Sequence, residues 1–176
     1  MRIELQKLVR HDWKEAPEYA AVDAIAEALH HELQGEAVLA QIQVANAPGN
    51  SSERVQQTFL AHAERLGFRS EAKGLFCDYP TSALRPDYFL PLPSGSGILL
   101  EVERGKTTIN NMDLLDFWKC HLCQHANYLF LLVPQELRQN DRMSPRREFQ
   151  TVSKRLASFF VPRNYTNVRG LFLFGY

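Results

Sequence analysis

The chain has 176 residues, 45% of them hydrophobic and 23% charged, and its 20 lysines and arginines balance 20 aspartates and glutamates to a formal net charge of zero. That composition excludes a disordered chain, a low-complexity tail and a histone-like polycation. The length suits one domain, residues 1–176, able to bury most of the surface its unfolded form exposes. No apolar run approaches the roughly 18–20 residues needed to cross a bilayer. The N-terminal stretch MRIELQKLVRHDWKE is too charged for a signal-peptide core. A cytoplasmic protein with no membrane partner is therefore expected. Cys77, Cys120 and Cys123 are odd in number and imply reduced thiols rather than a disulfide framework.

In chain order, Val22, Ile25, Ala26, Leu29 and Leu33 recur at helical spacing and predict an amphipathic helix over 17–33. GEAVLAQIQVA, 35–45, fits either a helix extension or a strand. APGNSS breaks the chain, Ser51 or Ser52 can cap, and a helix over 52–66 buries Val55, Phe59, Ala63 and Leu66. Residues 1–50 thus form an expected helical extension. The period then changes: 74–79, 84–92 and 97–103 are short, apolar, aromatic-rich segments bounded by Gly, Pro or Ser, as strands are, and PSGSG turns the last two into a hairpin. A helix is expected over 111–124 with Asn110 as its N-cap, then a buried strand at 128–134, a basic helix over 145–160 and a last strand, GLFLFGY. Helices before and after a mixed central β-sheet indicate an α/β sandwich.

The chemistry gathers on the hairpin. Glu101 and Glu103 end a strand that opens GILL; two residues apart, they share a face, while Val102 points into the opposite layer. If the hairpin pairs as expected, Asp87 lies beside them. Three carboxylates on one patch repel one another unless a cation sits among them, and all-oxygen donors favour Mg²⁺ or Mn²⁺ over Zn²⁺. Glu53, near the buried edge of the 52–66 helix, is a candidate fourth acid. Arg104-Gly105-Lys106 follows the acids, and Gly105 would let Lys106 swing back toward them. Taken alone, a Glu-x-Glu is more often a solvated strand face than a site; the ordered set of Pro-Asp, hairpin, Glu-x-Glu and lysine is what marks this one.

Arg85-Pro86-Asp87 followed by Ile98-Leu99-Leu100-Glu101-Val102-Glu103 resembles the restriction-endonuclease-like superfamily, whose pattern is Pro-Asp, a variable spacer, then Asp/Glu-any-Lys on a helix, β-hairpin-strand, helix, strand core. The resemblance covers about residues 52–134, within a catalytic core at 51–134, and leaves 135–176 as a basic helix and final strand. It implies a metal-dependent DNA endonuclease with Asp87, Glu101 and the backbone carbonyl of Val102 holding Mg²⁺ or Mn²⁺, and Glu53 as the helix acid some members add. The chain departs from the pattern in carrying Glu103 where lysine is usual; Glu103 would then accept a proton or ligate a second ion, and Lys106 would supply the cation. Cutting both strands requires two sites, hence an expected homodimer. A non-cleaving nucleic-acid-binding member, or a protein-interaction module with decorative acids, are the alternatives.

Cys120-His121-Leu122-Cys123-Gln124-His125 does not read as a zinc site: on an intact helix the histidines fall on the side of Leu114, Trp118 and Leu122 and the cysteines on the other, leaving core histidines and inert thiols. Asp113 and Asp116 complement the helix dipole, Lys119 is expected in solvent, and Thr108 and Asn111 lie near enough to the acids to touch substrate. Without a phosphate-binding glycine loop or a Gly-x-Ser-x-Gly elbow, no nucleotide cofactor is expected. Residues 137–169 carry eight cations against Asp141 and Glu148, so this segment is +6 and the remainder −6. Arg146-Arg147 and Lys154-Arg155, seven to eight residues apart on one helix face with interleaved aromatics, are the expected contacts to DNA phosphates.

Overall fold

The computed structural model describes residues 2–70, 85–105, 107–138 and 144–176. Three segments are apolar almost throughout, GILLEV, YLFLLV and GLFLFG, and each is buried along its whole length. Such runs belong to strands covered on both faces, which parallel pairing requires. They form β4 (Gly97–Val102), β5 (Tyr128–Val133) and β6 (Gly170–Gly175), with β4 parallel to β5 and β5 parallel to β6. β3 (Tyr88–Pro91) adds to β4 antiparallel, and the short β2 (Arg69–Ser70) adds to β3. With β1 (Glu4–Val9) antiparallel to β6, the six-stranded mixed sheet runs β1-β6-β5-β4-β3-β2.

Alternation along the strands feeds two cores. Leu100, Val102, Phe130, Leu132, Phe172 and Phe174 meet α1 (Pro17–Leu33), α2 (Glu36–Ala45) and α3 (Ser52–Arg65). Leu99, Leu129, Leu131, Leu171 and Leu173 meet α4 (Met112–Leu122) and α5 (Glu148–Ala157), with a 3₁₀ turn at Ser158–Phe160. The fold class is therefore α/β with helices on both faces, as the element order implies. No helix among the described residues is long and apolar enough to cross a membrane.

The expected all-helical extension over 1–50 is corrected at its start. Glu4–Val9 is a strand whose Leu5 packs into the α1–α3 core and whose Leu8 packs into the other, the two-faced spacing of a strand. Its charged residues are tolerated because β1 is the edge of the sheet. The 35–45 segment is a separate helix, α2, following the Gly35 break. The helix over 111–124 starts from Asn111 rather than Asn110, with Asn111 in the left-handed region at φ 56°. The basic helix begins at Glu148, because Arg146 is held extended in an antiparallel bridge to Leu137. The expected strand at 74–79 lies outside the described residues.

Candidate active site

Glu101 is the one charged residue in β4, β5 and β6, and it is 3% exposed. A carboxylate at such a place needs partners. The hairpin supplies the first. Gly95, at φ 84°, makes the turn, and the register Tyr88↔Leu100 sets Asp87 beside Glu101. The Asp87 amide donates to Glu101 Oε2 at 3.3 Å, and Asp87 Oδ2 accepts from the Val102 amide at 2.8 Å. Asp87 is thus tied to β4 by two bonds of opposite sense, one from its backbone and one to its side chain.

The second partner comes from α4, where Lys119 is buried. Its Nζ donates to Glu101 Oε1 at 2.7 Å and to Asp116 Oδ1 at 3.2 Å. This corrects the expectation of a solvated Lys119 and of a purely dipole-complementing Asp116. The helical stripe is rotated from the expected one: α4 buries Asp113, Asp116, Phe117, Lys119 and Cys120, keeps Leu114 and Leu122 packed at the margin of the core, and leaves Trp118 half exposed. Leucines and a tryptophan suggest a core face, but the sheet beneath α4 presents Glu101, so the polar face turns inward. Cys120 and Cys123 are buried free thiols, and burial pushes both thiols up. His125 is exposed and His121 is half-buried, accepting the Asn167 amide at 3.1 Å, so neither is a core histidine.

Electrostatics follow from crowding. Burial pushes the Glu101 carboxyl well above its usual value, with Asp116 and Asp87 adding to the shift and Lys119 opposing it. Glu103, on the same face and half-buried, is pushed up to about 8, first by burial, then by Asp116 and Asp87. Burial likewise raises Asp116 to about 6 against the pull of Lys119. Burial alone would lower Lys119, but Glu101 and Asp116 outweigh it and hold the ammonium above the ordinary lysine value. Four carboxylates therefore share one described ammonium. Asp116 Oδ2 is buried with no hydrogen-bond donor, an oxygen that a proton or a cation would satisfy. The donor set is all oxygen and short of positive charge, which fits a hard divalent ion. Among the described residues no three such side chains converge as a finished cation cage, and Glu101 Oε1 is taken by Lys119.

The remaining candidates divide. Glu53 is exposed in the first turn of α3; its neighbour Ser52 donates to the Arg104 carbonyl at 3.3 Å, which brings that turn against the end of β4 without a bond from Glu53 to the acids. Lys106 lies outside the described residues. Arg104 turns away from the acids and clasps the α2–α3 loop through Asn46, Ala47 and Asn50. The four basic residues of the tail do not share one helix face, because Arg146 precedes α5. Arg147 and Lys154 are exposed. Arg146 pairs with Glu148 at 3.0 Å and Arg155 with Asp113 at 3.3 Å.

No protein-family model and no curated protein matches the chain. Among solved structures, the chain is similar to the crystal structure of the restriction endonuclease BglII complexed with a DNA 16-mer: TM-score 0.53 and 13% identity, covering 99% of this chain and 78% of that one. At that identity the likeness concerns the fold, and the fold is that of a restriction endonuclease.

Proposed function

We propose that the chain is a metal-dependent endonuclease that hydrolyses phosphodiester bonds of DNA. The observation that carries the reading is the group at the end of β4, in which the buried Glu101 and Asp116 hold the Lys119 ammonium and the half-buried Asp87 and Glu103 adjoin them. A stable core has no use for so unbalanced a set, whereas phosphate chemistry needs both signs in one place. The DNA in the similar endonuclease structure supports the choice of substrate.

Asp87, Glu101 and the Val102 carbonyl would hold Mg²⁺ or Mn²⁺, with Glu53 within reach only if its side chain turns inward. Such an ion, when bound, lowers the pKa of a bound water and stabilises charge on the phosphate. The Val102 amide, donating to Oδ2, fixes the direction of the Asp87 carboxylate. Lys119 takes the position expected of Lys106: it neutralises part of the cluster and orients Glu101, and its remaining N–H can face a phosphate oxygen or a water. Asp116 positions Lys119. Glu103, pushed up to about 8, holds a proton most of the time at neutral pH, and it would become a proton acceptor once a cation bound beside it drew that proton off. Two copies acting on opposite strands would make a double-strand break, so a homodimer on DNA is part of the proposal.

Supercoiled plasmid incubated with wild type and Asp87→Ala, with and without Mg²⁺, tests it. Cleavage by wild type only, and only with metal, is expected. Equal cleavage by Asp87→Ala would sink the reading. Retention on DNA without nicking in either Mg²⁺ or Mn²⁺ would favour a non-cleaving binder, in which Lys119 keeps Glu101 from the ion.

A further inference from the structure

Two carboxylates on the α4–α5 side are buried more completely than structural need explains. Asp113 is 0% and Glu148 1% exposed, and none of their four oxygens accepts a hydrogen bond that satisfies it. Each faces an arginine at ion-pair distance, Asp113 facing Arg155 and Glu148 facing Arg146. The arginines are not buried: their side chains are 27% and 33% exposed. Both also reach one loop. Arg146 donates to Thr108 Oγ1 at 2.5 Å; Arg155 donates to the Thr108 carbonyl at 3.1 Å and to Asn111 Oδ1 at 2.6 Å. That loop joins Glu103 of the acidic group to α4, and Asn111 is held there in the left-handed region.

We infer that Asp113 and Glu148 are positioning residues that aim Arg155 and Arg146 as a seat for a backbone phosphate next to the one being cut. The inference rests on the proposed nuclease reading. A guanidinium has five N–H donors in a rigid fork. Arg155 donates one each to Thr108 and Asn111 and stands 3.3 Å from Asp113 as an ion pair, and with 27% of its side chain exposed two terminal N–H groups remain for a further acceptor. Charge alone does not explain the arrangement, since two acids cancel two arginines. What it provides is direction: buried acids beneath, fixed fork above. Asp113 lies one helical turn, about 5 Å, from Asp116 along α4, so the seat adjoins the acidic group. A carboxylate under a guanidinium that binds phosphate costs attraction unless orientation returns more than it takes.

That opposition sets the sign of the test. Binding of a labelled DNA duplex in metal-free buffer is measured across a salt series for wild type, Asp113→Asn, Glu148→Gln, Arg155→Lys and Arg155→Ala, with a thermal melt for each. Removing an acid that acts only through its charge should tighten binding to DNA. The positioning role predicts that Asp113→Asn and Glu148→Gln weaken it, and that Arg155→Lys, which keeps the charge but not the fork, weakens it on the order of tenfold. Arg155→Ala should also reduce the salt slope by about one. A folded Asp113→Asn that binds as tightly as wild type or tighter overturns the inference. So does an Arg155→Lys indistinguishable from wild type, which decides the matter if the acid variants fail to fold. If wild type itself shows no salt-dependent binding to duplex DNA, the nuclease reading falls too; if wild type binds and cleaves while the variants match it, only the seat falls.

Discussion

Lys119 unites stability and chemistry in one side chain. Removing one partner of a buried ion pair leaves the other charged and desolvated, and Lys119 has two such partners. Lys119→Met is expected to abolish plasmid cleavage and to cost about 3–5 kcal/mol of stability, read from urea unfolding; Lys119→Met with Glu101→Gln should lose less stability while staying inactive. Its absence from the sequence-level picture has a physical cause. Asp116 and Lys119 are three apart on a helix whose Leu114, Trp118 and Leu122 look like the centre of the buried stripe, and only the charged strand beneath turns the helix toward its polar side. That Asp87 lies beside Glu101 was legible because a short hairpin leaves little freedom in register. A second residue-level expectation concerns pH. Burial disfavours the Glu18 carboxylate, but hydrogen bonds with Ser94 and Arg169 outweigh it and hold its pKa below the usual range. Its folded value lies below its unfolded one, so Glu18 stabilises above about pH 4.5 and loses that contribution as pH falls through the folded value. Glu18→Gln should therefore lower the melting temperature at pH 7, by an amount that shrinks as pH falls below 4.5.

At the scale of elements, the hairpin that carries the acids depends on one close approach. A Cβ at Gly97 would meet Phe89 Cε2 at 2.4 Å and the His125 carbonyl oxygen at 2.6 Å. A ring can move; a backbone carbonyl in a packed loop cannot move cheaply. Gly97→Ala should cost about 2–3 kcal/mol in denaturant unfolding and reduce cleavage through the shifted β4. Helix α3 is legible to its cap: Ser51 Oγ accepts from the Arg54 amide at 3.3 Å, as the APGNSS break suggested. The basic helix was less legible because clustered arginines say nothing about what lies under them. Only the packing reveals that Arg146 and Arg155 stand over Glu148 and Asp113 while Arg147 and Lys154 face solvent.

Across the whole molecule, the neutral net charge conceals separate acidic and basic groups, and two cations of the basic segment are matched by buried acids, Glu148 within it and Asp113 in α4. The alternation of helices and apolar strands made the α/β class readable, since long apolar runs can only be strands shielded on both faces. β1 was not readable because edge strands carry charge and its partner is remote in sequence. That remoteness governs how the protein must fold. Glu4 pairs with Gly175 and Val9 with Gly170, so the first strand has no seat until the last has docked on β5. Pairing at this edge must close a loop spanning residues 10–169, a non-local step that is slow by nature. During synthesis residues 4–9 stay an unpaired strand until residues 170–175 have been made, and Glu4 and Lys7 would serve in that interval as guards against premature association.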